Sequence, residues 1–280
     1  MNRNHLSHRS VLSLTGNDRQ AFLQGLLTND ILSLTPGELR WTALLTVQGR
    51  IQCLFFVFCT SEALLLDLPS SQADTLHTLF KRFRLRADVQ FSMTDLHVLT
   101  GPHHQTPPEN SICYASDPRH PHMGWRAIMP PLPSEDDGKG DLAYLQRRLT
   151  LGIPDMIDFT PGQNLALEAN LDFCHGVSWN KGCYLGQEVT ARMHYRSQAK
   201  RRLLPVLLPE EVSFSSGENV QLNGHDVGEL RTYHKGHGLA MLHHTAWAAE
   251  SLSIAHQPVT LLWPDWLPTT LRPPTESSPS

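Results

Sequence analysis

Apolar positions along the chain follow two different patterns, and the change between them divides it. Residues 10–14 alternate as a strand does, and Asp18 stands at an N-cap position before Ala21, Phe22, Gly25 and Leu26, an apolar face at helical spacing. The run Cys53-Leu-Phe-Phe-Val-Phe-Cys59, then Ser61-Glu62, then 63–68 predicts a β-hairpin. Ser70 is placed to cap a helix whose Ala73, Leu76, Leu79, Phe80 and Phe83 share one face. Lys81, Arg82 and Arg84 sit toward its C-terminal end, where the helix dipole favours cations. A helix packed on a sheet follows.

From 101 to 140, Pro, His and acidic residues dominate, which predicts loops around short strands at 111–115 and 125–129. Residues 141–151 resume helical spacing through Leu142, Leu145 and Leu149, and Gly152 with Pro154 stops them. Beyond Lys200 only short strand patterns remain, at 203–208, 219–222, 227–233, 238–242 and 259–263. Turn signals at 215–218, Asn223-Gly224 and Lys235-Gly236 separate them, so a small antiparallel barrel or sandwich is predicted. The expected organisation is an α+β region over 1–200, a β-barrel over 201–266 and a disordered Pro- and Ser-rich tail over 267–280.

Composition narrows the function classes. The 280 residues are 40% hydrophobic and 18% charged, enough to bury a sizeable core. A net charge of −4 argues against a general nucleic-acid binder, which needs a basic face. The longest apolar stretch, 51–68, is broken by Gln52, Thr60, Ser61, Glu62 and Asp67, so no membrane-spanning helix is expected. The N-terminus lacks the apolar core of a secretory signal, and a cytoplasmic location is the expectation. Five cysteines, Cys53, Cys59, Cys113, Cys174 and Cys183, include no C-x-x-C pair and argue against a disulfide framework or a standard zinc site. The 16 histidines are scattered and read as surface residues, including the pairs His103/His104 and His243/His244.

Candidate chemistry concentrates in one run, from Trp179 through Lys181-Gly-Cys-Tyr-Leu-Gly-Gln-Glu-Val-Thr-Ala-Arg192 to Arg196. Gly182 and Gly186 flank Cys183 and allow close backbone approach or positive φ. A helix from about Tyr184 to His194 would put Cys183 at its N-terminus, with Lys181 nearby, and both would favour a thiolate that acts as nucleophile or soft-metal ligand. The alternative is a small buried core residue. Gln187 and Glu188 would fall in the first turns, where Glu188 also reads simply as a helix acid. Between Lys181 and Arg202 six cations face one acid, which implies a local anion site or a solvated basic edge. Glu168 and Asn170 share a face if their segment is extended, where they could read a heterocycle, or they are merely solvated. Cys53 and Cys59 read as core.

The run around Cys183 resembles the signature of the YgfZ family, folate-binding relatives of the glycine-cleavage T-protein. The stretches 167–172, Gly176-Val-Ser-Trp179 and Lys200-Arg-Arg-Leu203 resemble especially the branch containing the mitochondrial iron–sulfur assembly factor. Phe22-Leu-Gln-Gly-Leu-Leu-Thr-Asn-Asp30 and Leu44-Leu-Thr-Val-Gln-Gly-Arg50 match the family's opening. The resemblance implies an α+β T-protein-like fold, two intertwined subdomains around a central channel holding tetrahydrofolate, followed by an antiparallel β-barrel. It also implies a role in assembling or repairing [4Fe–4S] proteins, with assembly or client proteins as partners and Cys183 as the functional thiol. Asp67, Glu168, Asn170, Lys181, Gly182, Tyr184, Gln187, Glu188 and Arg192 are the expected folate contacts. Where the T-protein carries an acidic pair, this chain has Gln52 and Cys53, which disfavours aminomethyl transfer. The alternatives are a T-protein-type aminomethyltransferase and a non-catalytic scaffold that docks partners on the basic 181–202 surface.

Overall fold

The computed structural model describes residues 4–131, 138–196 and 199–272. The N-terminal elements run β1 (Asn4–His5), β2 (Arg9–Thr15), α1 (Arg19–Gln24), β3 (Leu39–Leu45), β4 (Ile51–Cys59), β5 (Leu64–Pro69), α2 (Ala73–Phe83) and β6 (Gln90–Met93). They continue through β7 (His97–Gly101), β8 (Cys113–Ser116), β9 (Trp125–Met129), α3 (Lys139–Leu151) and α4 (Gln187–Tyr195). The barrel strands are β10 (Arg201–Leu207), β11 (Asn219–Leu222), β12 (His225–His234), β13 (His237–His243), β14 (Leu252–Ile254) and β15 (Gln257–Leu261).

Two antiparallel sheets build the N-terminal region. One has the order β3-β4-β5-β2-β6, the other β1-β7-β9-β8. Their apolar faces, with α2, form a single core that includes Trp41, Phe55, Phe56, Phe58 and Phe80. The barrel closes as β10-β13-β12-β11-β14-β15 around its own core of Leu204, Val206, Val220, Leu230, Leu242 and Ile254. Strand periodicity joins the two units. Leu203 of β10 and Leu239 and Met241 of β13 pack into the N-terminal core, while Leu204, Val206, Ala240 and Leu242 point into the barrel.

Tertiary pairing overrides both expected helix caps. The Asp18 side chain makes no cap bond to α1 and instead accepts from the backbone N–H of Asp88 at 2.8 Å. Ser70 opens a 3₁₀ turn ahead of α2, and its hydroxyl pairs with that of Ser10 at 2.8 Å. β3 escaped prediction because six of its seven residues are buried, which erases the two-residue alternation. β14, three residues long, carries too little pattern to read. The expected tail begins too early at 267: Leu267 lies in the barrel core and Thr269–Leu271 forms a 3₁₀ turn, while 273–280 lie outside the described residues. No helix among the described residues is long and apolar enough to cross a membrane.

Candidate functional site

Two runs far from it in sequence hold the loop that carries Cys183. Lys181 Nζ donates to the backbone oxygens of Gln24, Leu27 and Asn29 at 2.7, 2.7 and 2.8 Å, where carbonyls at and beyond the end of α1 lack helical partners. Leu185 N–H donates to Gly25 O at 3.1 Å and Ser178 N–H to Thr28 O at 3.0 Å. Opposite them, Gly186 (φ 78°) and Gly49 (φ 75°) bring α4 against the β3–β4 turn. A Cβ on Gly186 would stand 2.4 Å from Thr46 O, and one on Gly49 2.8 Å from Val189 Cβ. The segments 22–30, 44–50 and 181–192 thus form one surface, with Cys183 exposed on it.

The other four cysteines are buried or half-buried. Burial pushes the Cys53 and Cys113 thiols up to about 12, so they stay protonated and inert at neutral pH. Cys183 is the one exposed cysteine of the five. Two features expected beside it lie elsewhere: Gly186 is the N-cap of α4, so the sulfur precedes the helix, and the Lys181 ammonium is turned onto carbonyls. Burial draws Lys181 down to about 8 against the opposing pull of Asp30.

Other members of the run serve the loop itself. Gln187 Oε1 accepts from Tyr184 N–H at 3.2 Å. The buried Tyr184 ring lies 5.1 Å from Lys181 Nζ. Burial pushes the Tyr184 hydroxyl up to about 12. Glu188 is exposed and pairs with Arg192 one turn on, at 3.0 Å, the helix-acid role. A Cβ added at Gly182 would meet nothing within 4 Å, so packing within the fold does not demand glycine there.

Glu168 and Asn170 do not share an extended face. Asn170 adopts φ 55° within a series of turns, which breaks the assumed parity. The Glu168 carboxylate accepts from Leu165 N–H at 3.0 Å and from Arg201 Nε and Nη2 at 3.0 and 2.8 Å. Asn170 donates to Leu203 O at 2.6 Å and accepts from Arg202 Nη1 at 2.9 Å. Both residues pin β10 to the N-terminal region.

Asp67 belongs to a separate, buried centre. Its carboxylate accepts from Arg9 Nε at 2.6 Å and Arg126 Nε at 3.0 Å. Arg9 continues to Asp155, which also accepts from Tyr144, and Arg119 clamps Asp117 at 2.9 and 2.6 Å. Arg148 pairs with Asp158 at 2.8 Å. Burial alone would raise Asp67 and Asp155; the guanidiniums of Arg126 and Arg9 on the first, and of Arg9, Arg119 and Arg148 on the second, hold both below the usual carboxylate range. Arg126 lies 4.0 Å from the Phe56 ring centroid, and Arg119 4.9 Å from that of Trp41. Sequence inspection found only Asp67 of this centre, because its other members are single residues scattered over several elements.

A cavity of about 520 Å³ adjoins this centre, with Arg9, Gln72, Tyr144, Arg148, Asp155 and Phe159 among its walls. Cys183 is not on its lining, so this cavity and the exposed sulfur are two separate places. Arg148 Nη2 is buried there without a protein partner. At the positions matching the T-protein's acidic pair, Cys53 is sealed in the core beside half-buried Gln52, and neither supplies a carboxylate. No group of three or more His, Cys, Asp or Glu among the described residues converges to hold a metal ion.

Comparison with known proteins agrees with this architecture. Residues 200–269 match the CAF17 C-terminal beta-barrel domain. The crystal structure of glycine cleavage system aminomethyltransferase T from Bartonella henselae superposes with a TM-score of 0.73, covering 94% of this chain and 85% of that one. At 13% identity it shows a shared T-protein-like fold. The mitochondrial iron–sulfur cluster assembly factor IBA57 of Mus musculus is 32% identical, across 95% of this chain and 86% of its own length. The IBA57 homolog of Mycosarcoma maydis, also mitochondrial, is 32% identical over 71% of this chain, and the chain spans 55% of that longer protein. These relatives overturn the cytoplasmic expectation and point to mitochondria. Lack of an apolar secretory segment could not have decided the matter, since transit peptides are amphipathic and Arg-rich instead. With two-thirds and more of both chains aligned to the mouse protein at this identity, the chain belongs to the family of IBA57 iron–sulfur cluster assembly factors.

Proposed function

We propose that this protein assists the assembly or repair of [4Fe–4S] proteins by offering Cys183 to a partner's cluster, persulfide or thiol. The observation that carries this is an exposed sulfur on a loop fixed from two sides, by Lys181 on the end of α1 and by the Gly186–Gly49 contact. A fixed backbone lowers the entropy cost of meeting a partner's sulfur in one geometry. One thiolate cannot supply the four common at a cluster, so the remaining ligands come from the partner or a second copy. The named role of the relatives supports the same class of partner. Deleting the gene and assaying [4Fe–4S] enzymes tests it: their activity falls, most under oxidative stress, and unchanged activity rejects the role.

Tetrahydrofolate, which the YgfZ resemblance implies, belongs to this proposal at a different place from the residues first expected to hold it. Glu168, Asn170 and Lys181 are saturated by internal partners. The 520 Å³ cavity lies within the range of small-molecule sites, roughly 300–1,000 Å³. Its wall carries Leu145, Met156 and Phe159 for a flat ring, and Arg148 Nη2 is a buried donor with no protein acceptor. Arg148 would hold the ligand through that donor, since Arg9 is saturated by Asp67 and Asp155, and a reduced folate would supply one-carbon chemistry. Calorimetric titration with tetrahydrofolate checks it: heat of binding is lost in Arg148→Gln and kept in Glu168→Gln, and no heat with the parent protein rejects the site.

A further inference from the structure

Of the six cations between Lys181 and Arg202, two are spent inside the fold. Lys181 closes the end of α1, and Arg202 grips Asp172 at 3.0 and 2.8 Å. Of the remaining four, Arg192, Lys200 and Arg201 line one groove. Its volume is about 460 Å³, its floor is Leu165, Val189 and Met193, and Glu168 is the one carboxylate on its wall. Arg192 is half-exposed, and its helical partner Glu188 is 88% exposed, so water competes for that pair and an incoming carboxylate can replace it. Arg201 is held rigidly on Glu168 with half its side chain still open. With Glu168 held by Arg201 and the exposed Glu188 displaceable from Arg192, Arg192 and Lys200 are open to an incoming anion, and beside Leu165, Val189 and Met193 they complement an extended acidic segment with interspersed apolar side chains. The adjoining depression on the barrel, past Arg201, sets Asp226 and Glu229 against Arg231 and the shared Arg201, so the excess of positive charge ends there.

We infer that the groove between α4 and the start of β10 docks an acidic peptide segment of the protein partner that meets Cys183. The inference rests on the proposed role of Cys183 and names how the partner is held. Val189, Arg192 and Met193 belong to the helix that follows the Cys183 loop, within about 20 Å of chain from the sulfur. A segment anchored there keeps the partner's sulfur or cluster at high local concentration beside Cys183.

The experiment measures fluorescence anisotropy of a labelled peptide of alternating glutamate and leucine against the full-length protein. Binding that weakens on adding salt, and that falls by about tenfold in R192E/K200E, supports the groove. Both side chains are exposed, and the uncharged pair R192Q/K200Q, with thermal melts of each variant, separates lost charge from lost fold. Equal affinity in parent and charge-reversed protein, or no binding to the parent, overturns the inference. Tighter binding of an oligothymidylate than of the peptide overturns it as well. Peptide binding by Cys183→Ala supports a dock independent of the thiol, so failure of the thiol role and failure of the groove give different results.

Discussion

Around Asp67, arginines and aspartates neutralise one another in the dry interior, whereas around Cys183 one lysine and two glycines fix the backbone and leave the side chain in water. Arg9, Arg119, Arg126, Arg148 and the four aspartates that pair with them are all at least 95% buried. Such a centre is costly to break, and it leaves few atoms free for chemistry. The Cys183 surface is the reverse: its hydrogen bonds run between main chain and Lys181, and its reactive atom has no structural duty. Stability and reactivity are therefore carried by different residues of one region, and substitution separates them.

The largest effect falls in the buried centre. Asp67→Ala removes the carboxylate that Arg9 and Arg126 share, leaving them only the longer contacts to Asp155 and Asp117 at 3.3 and 3.8 Å, and unfolding by urea shows a loss of about 3 kcal/mol. Next comes the frame of the exposed loop. Gly186→Ala meets positive φ and a backbone oxygen at 2.4 Å, so it costs about 1–3 kcal/mol and changes the rate at which Cys183 is alkylated. A loss of stability with unchanged alkylation would show that the frame and the sulfur are not coupled.

Acid gives a graded version of the first test. Asp67 and Asp155 have folded pKa values below the unfolded carboxylate value of about 3.9, so their contribution is fully present above that pH and is lost as pH falls through and below it. The urea midpoint of the parent protein stays level from neutral pH to about 5 and drops below about 4. Asp67→Ala, already lacking one of the two groups, shows a shallower drop.

The barrel was legible in the sequence because its information is local. Asn223 and Gly224, at φ 53° and 81°, and Lys235 and Gly236, at 44° and 75°, make the turns their residue types demand, and the strands follow between them. The Cys183 loop was legible as a candidate from its glycines and thiol, but the targets of Lys181 lie over 150 residues away and leave no mark beside it. The buried centre was illegible for the same reason: Arg9, Arg119 and Arg126 are isolated in sequence and meet only when the two sheets pack. Glu168 and Asn170 were misjudged because parity assumes an extended chain, and the left-handed Asn170 turns it.

The smallest effect on stability is expected at the residue to which we assign the largest effect on function. Cys183→Ser touches no packed neighbour of the core, and its unfolding free energy stays within about 0.5 kcal/mol of the parent. Expressed at parental level in cells lacking the native gene, this variant tests the division of labour directly through the activity of a [4Fe–4S] enzyme. The expected result is a deficit as deep as the deletion from a protein that melts normally; full enzyme activity from Cys183→Ser would contradict it.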